Sequence, residues 1–177
     1  MTACGSSNDK KSITSNQTHI SNDSILILPK IGIDNISFYA KDNVESFQYK
    51  HVIFIVDSGQ SVSDGTNGAY FKNWSRFKND TMGLSFTFAT PYNINPNLAK
   101  EQPKTLTEIN IWNNQSAHFD NGIKIGTSTY QEVVSTFGQL PADWHNNYFI
   151  EYPMQGINFS FDSNRILHGV NLKKISD

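Results

Sequence analysis

GIKIGTSTYQEVVSTFG, residues 122–138, carries a complete helix between its own start and stop signals. Tyr130, Val133, Val134 and Phe137 fall at i, i+3, i+4 and i+7, which places them along one stripe. Thr129 and Glu132 have capping-box spacing, so each can satisfy a backbone N–H at the helix start, and Gly138 followed by Pro141 supplies the stop. Downstream the period changes from 3.6 to 2. Ile157, Phe159 and Phe161 lie on one face of an extended chain, with Asn158 and Ser160 on the other. Residues 162–165 are turn formers, and residues 167–174 return antiparallel. With the YFIEY segment at 148–152, one unit is a helix followed by three strands.

The same order of segments occurs upstream. GIDNISFYAKDNVESF at 32–47, YFKNW at 70–74, GLSFTF at 83–88 and LTEINIW at 106–112 match the helix segment, YFIEY, GINFSF at 156–161 and LHGVNLKK at 167–174. Gly32 corresponds to Gly122, Val44 to Val134, Phe47 to Phe137, Trp74 to Tyr152 and Gly83 to Gly156. The expected fold class is therefore α+β: a tandem repeat of a helix followed by three antiparallel strands, the helices packed on one face of an antiparallel sheet. The first repeat spans 25–115 and the second 116–177. The first carries longer connections at 57–68 and 89–104. Lys50 to Val56 reads as a buried strand, either an extra one or a continuation of the helix.

At 177 residues the chain is long enough to bury a core. Lys and Arg number 14 against 16 Asp and Glu, so no basic footprint for nucleic acid or an anionic membrane is present. The single cysteine excludes an intramolecular disulfide and a multi-cysteine metal site. That cysteine, Cys4, follows Thr2 and Ala3 and precedes Gly5, Ser6 and Ser7. The context resembles the processing site of a bacterial lipoprotein, and it implies lipidation at Cys4 and a membrane-anchored protein in the periplasm; the alternative is a free surface thiol. Residues 1–24, rich in Ser, Asn, Asp, Lys and Thr, read as a disordered tether.

The 122–138 stretch also resembles the glycine-bounded opening, with an alternating apolar approach and a Ser/Thr-x-x-Glu-Val helix start, of small envelope proteins related to the BamE lipoproteins and the β-lactamase inhibitor protein. That resemblance implies helices packed on an antiparallel sheet. For the inhibitor branch it implies a tandem repeat with a concave aromatic sheet face and loops that enter an enzyme's cleft.

Catalysis needs converging groups, and the sequence offers few. His19, His51, His118, His145 and His168 are dispersed without metal-binding spacing, and His118 with Asp120 reads as a turn between the repeats. Ser58 lacks a nearby base in sequence. DSGQSVSDGTNG at 57–68 has oxygens and glycines but not the EF-hand spacing. Neither a cofactor nor a metal is expected. Better candidates are the aromatic residues Tyr70, Trp74, Trp112, Trp144, Tyr148 and Tyr152, together with Asp57, Asp64 and Gly65 in a projecting loop. The rings either anchor a partner or pack the two repeats together. If Phe71 and Phe149 enter the core, Tyr70, Trp74, Tyr148 and Tyr152 share the open face. The expected function is a non-catalytic lipoprotein that binds a partner protein, as an inhibitor or immunity-type protein against an enzyme or toxin; the alternative is a BamE-like factor in outer-membrane assembly.

Overall fold

A computed structural model describes residues 24–40, 44–66, 68–140, 145–146 and 148–175. Strand accounts for 49 % of it and helix for 13 %, so the expected α+β tandem of helix-plus-sheet units is not the architecture. Two sheets share one core. The smaller contains β1 (Ile25–Leu28), β2 (Gly32–Ile33), β3 (Ile36–Ser37) and β8 (Ala117–Phe119) in the order β3-β2-β1-β8. The larger contains β4 (Ile55–Gly65), β5 (Gly68–Asn79), β6 (Leu84–Ala89), β7 (Thr105–Trp112), β9 (His145–Asn146), β10 (Phe149–Tyr152), β11 (Ile157–Phe161) and β12 (Leu167–Lys173). Its order is β4-β5-β6-β7-β12-β11-β10-β9, antiparallel throughout.

Two short α-helices complete the described residues. α1 (Pro96–Glu101) lies inside the long connection after β6, capped by Asn95 Oδ1, which accepts from Asn97 N at 2.9 Å. α2 (Tyr130–Phe137) occupies the stretch that opened the sequence analysis. Its capping box is complete, with Thr129 N donating to Glu132 Oε2 at 2.6 Å and Glu132 N to Thr129 Oγ1 at 3.3 Å. Val133 is buried, and Tyr130, Val134 and Phe137 pack against the core beside it.

Among the described residues, no α-helix stands at the matching place in the first half. Val44–Ser46 makes one 3-10 turn, and the chain then drops both Phe47 and Tyr49 inward. A helical stripe cannot bury residues two apart, and Lys50 and His51 both adopt positive φ, 47° and 56°, where helix propagation ends. Phe47 instead becomes the hub of a ring cluster, with centroids 4.7 Å from Phe86, 5.0 Å from Phe88 and 5.2 Å from Phe77.

The strands of the two halves meet edge to edge at β7 and β12, where Ile111 pairs with Val170 and Ile109 with Leu172. One face of the larger sheet is apolar: Leu84, Phe86, Phe88, Ile109, Ile111, Phe159, Val170 and Leu172 are all buried there. Against it pack α2 and the smaller sheet, whose Ile25, Ile27, Ala117 and Phe119 are likewise buried. Both layers cover the same face, which leaves the opposite face of the larger sheet open.

Two local expectations change. Residues 57–65 are not part of a loop: they belong to β4, eleven residues paired in unbroken register with β5 and closing at Gly65 opposite Gly68. Their Ser, Gly and Asp look like loop chemistry, but a partner strand rich in Tyr, Phe and Trp holds them extended. The segment from Lys50 to Val56 is not a buried strand either. Only Ile55 and Val56 join β4, and Ile53, Ile55 and Val56 are 88 %, 72 % and 54 % exposed.

Candidate functional site

The open face is fixed by ladder parity. Phe77 opposes Phe86 on the core side, so Tyr70, Lys72, Trp74, Arg76 and Lys78 project from the other side of β5. Across the ladder, Ser85 and Thr87 of β6, Glu108, Asn110 and Trp112 of β7, and Gly169, Asn171 and Lys173 of β12 share that side. A groove of about 890 Å³ runs over it, lined among others by Asp57, Arg76, Lys78, Asn110, Trp112 and Asn171. Small residues make its floor, since Trp112 pairs with Gly169 and Lys78 with Ser85.

Aromatic rings and cations alternate along this surface. The Arg76 guanidinium lies 5.5 Å from the Trp74 ring centre, and Lys78 Nζ lies 5.9 Å from that of Trp112. Lys72 Nζ stands 4.8 Å from the Tyr92 ring. Lys78 also meets Asp80 at 2.8 Å, whereas neither Lys72 nor Arg76 enters an ion pair among the described residues. Beside the cations lies an amide and carboxylate network. Asn171 Nδ2 donates to Glu108 Oε1 and, at 2.5 Å, to Asn110 Oδ1, while Asn110 Nδ2 donates to the same Glu108 oxygen at 3.2 Å. The Asn171 Oδ1 is buried and finds no donor among the described residues.

The proposed contact residues are distributed unevenly. Asp57, Gly65, Tyr70 and Trp74 occupy the open side of the β4–β5 hairpin, Asp64 is on the opposite side of β4, and Trp112 lies across the groove. Tyr148 is 57 % exposed but precedes β10. Tyr152 is the correction: it is 4 % exposed and faces the core. Its hydroxyl donates to Gly138 O at 2.6 Å, and its ring lies 5.9 Å from Phe159. Ile150 pairs with Phe159 and Tyr152 with Ile157, so the even-numbered residues of β10 point inward and Phe149 points out, the reverse of the parity expected from sequence. Burial pushes the Tyr152 phenol up to about 12, with the neighbouring Tyr130 adding to the shift. Trp144 and Cys4 fall outside the described residues.

Lys72, Arg76, Lys78, Asn110 and Asn171 were not singled out from sequence. The signal was present in their period, because cations at 72, 76 and 78 share parity with Tyr70 and Trp74. Among the described residues no three His, Cys, Asp or Glu side chains gather as a metal site would require. Among the described residues, the His118 Nδ1 contacts are Ser24 Oγ and Ser116 O, at 3.4 and 3.3 Å. The surface offers stacking, charge and hydrogen bonding to whatever lies on it. No protein-family model, no curated protein and no solved structure matches this chain.

Proposed function

We propose that this chain is a non-catalytic binding protein of the bacterial envelope, of the inhibitor or immunity type, which lays its open sheet face on a partner enzyme or toxin. The observation that carries this is the row Tyr70, Lys72, Trp74, Arg76 and Lys78 beside the Trp112 groove, on a sheet whose other face carries the core. Trp, Tyr and Arg dominate the energetics of protein interfaces, and a strand holds them at low entropic cost. Because Lys72 and Arg76 have no internal carboxylate partner among the described residues, the complementary surface is one that presents Asp or Glu. Lipidation of Cys4, with the polar residues after it as a tether, accounts for how the face is held in the periplasm.

The test presents the full chain, and the same chain carrying Lys72→Glu and Arg76→Glu, to secreted enzymes and toxins encoded beside its gene. A partner that binds the unmodified chain is then assayed for activity. The proposal expects stoichiometric loss of that activity, weakened at least about tenfold in the double reversal. A partner that stays fully active at saturation removes the inhibitory role.

A further inference from the structure

Among the described residues, the outer edge of β4 is the longest strand edge left open. No strand pairs with it among the described residues, whereas at the other end of the same sheet β9 exposes only two residues. Proteins ordinarily blunt such edges with Lys, Pro, a bulge or a short strand, because a row of free N–H and C=O groups templates another strand. β4 uses none of these. It runs IVDSGQSVSDG with no Lys, Arg or Pro, and its register with β5 has no shift over eleven residues.

The direction of its free groups follows from one hydrogen bond. Ser58 N donates to Asp57 Oδ1 at 2.8 Å, a local contact open only to an amide that is not spent on β5. In an antiparallel ladder the residues turned outward alternate, so Val56, Ser58, Gln60, Val62 and Asp64 present N–H and C=O to the edge. Their side chains share the core-side face, since Val56 opposes Phe77 and Val62 opposes Phe71. Val56 and Val62 are 54 % and 57 % exposed there, three residues either side of Gly59.

That symmetry names the occupant. We infer that β4 pairs antiparallel with β4 of a second copy of this chain about a two-fold axis at Gly59, joining two eight-stranded sheets into one. In this register Val56 meets Val62 of the second copy twice over, Ser58 meets Gln60, Asp57 meets Ser61, and no carboxylate opposes another. Gly59 sits on the axis, where the strands approach most closely and no side chains collide. A two-fold placed at Gln60 would set each Val56 against Asp64, so matching of the valines selects Gly59. The dimer leaves both grooves open on one side of the joined sheet.

Sedimentation velocity and light scattering on the full chain, across a hundredfold range of concentration, test the pairing. Val62→Lys puts a charge on the seam, and Gln60→Pro removes one outward N–H without touching the bonds to β5. The expected result is a concentration-dependent dimer that each variant weakens about tenfold or more, with circular dichroism unchanged. In the dimer, the amides of Ser58, Gln60 and Val62 gain hydrogen-exchange protection. A chain that stays monomeric throughout the range overturns the inference, and so does a dimer that survives both variants.

Discussion

The Trp74 ring lies across Gly59 on the neighbouring strand, so close that a Cβ built at residue 59 would stand 2.7 Å from its Cζ2. Tyr70 stands in the same way over Gly65, where an added Cβ would come within 2.4 Å of Cε2. Rings laid on glycines shield backbone that has no side chain of its own, and this is how a strand of Ser and Gly stays in register.

This predicts a coupled pair. Gly59→Ala in the native background displaces the indole and costs about 1 kcal/mol, with a shift in tryptophan fluorescence, because the methyl takes the ring's place. Once Trp74 is already Ala, the same substitution becomes neutral or stabilising, since Ala suits a strand better than Gly. Urea unfolding of the four proteins measures the coupling. Equal costs in both backgrounds would show that the ring does not rest on Gly59.

A second prediction concerns Gly83 and Gly156, which sit at φ 59° and 61° immediately before β6 and β11. A Cβ at Gly83 would lie 1.7 Å from Trp112 O, and one at Gly156 would lie 2.3 Å from Lys173 O. Trp112 ends β7 and Lys173 ends β12, so the two glycines do the same task in the two halves. Ala at either site combines left-handed strain with a backbone collision and should cost about 3 kcal/mol or more. Gly122→Ala, at φ 91° with nothing within 4 Å, is the control that carries strain alone and should cost about 1 to 2 kcal/mol. Thermal unfolding of the three variants separates strain from collision.

The period-two runs 84–88, 106–112, 157–161 and 167–172 and the capped helix at 130–137 were legible, because each is decided by its own residues. The helix expected in the first half rests only on its likeness to the second, and local forces overrule it: Phe47 and Tyr49 both serve the core, and Lys50 and His51 adopt positive φ. β1, at Ile25–Leu28, is four residues long and pairs in parallel with β8 over ninety residues away, a contact that no local pattern announces. The site was half legible. Tyr70 and Trp74 share one face of β5, as their period-two spacing expects, while Tyr152 faces the core because the 3-10 turn at Pro153–Gln155 sets the phase of β10.

A third prediction follows from the buried phenols. Tyr152 is shifted from the ordinary 10.0 to about 12 by burial, with Tyr130 adding to it. Tyr49 is also raised, first by burial and then by its hydrogen bond to Asp34 Oδ2, at 2.6 Å, and by that carboxylate's charge. Both folded values exceed the unfolded ones, so the folded state holds its protons longer. The resulting stability is fully present below about pH 10 and is lost as pH rises through the folded values. The midpoint of urea unfolding should therefore fall steeply between about pH 10 and pH 12, and less steeply in Tyr152→Phe. An alkaline limb of equal slope in the two proteins would mean that Tyr152 does not carry the linkage.

A fourth prediction concerns the start of α2, where acid acts with the opposite sign. Glu132 accepts from Thr129 N at 2.6 Å and from Thr129 Oγ1 at 2.9 Å, and these bonds, the backbone one foremost, hold its carboxyl below the ordinary range. Here the folded value lies below the unfolded one, so the cap's contribution is present above the unfolded carboxyl range and disappears as pH falls through the folded value. Thr129→Ala removes the acceptor for Glu132 N and should cost about 1 kcal/mol at neutral pH. Glu132→Gln should leave a neutral cap whose strength no longer depends on acid, which flattens this part of the pH profile. Hydrogen exchange at Glu132 N in the three proteins, from neutral pH downward, locates the effect at the helix start. Full protection of that amide in Thr129→Ala would show that α2 is held by the packing of Val133 and Phe137 alone.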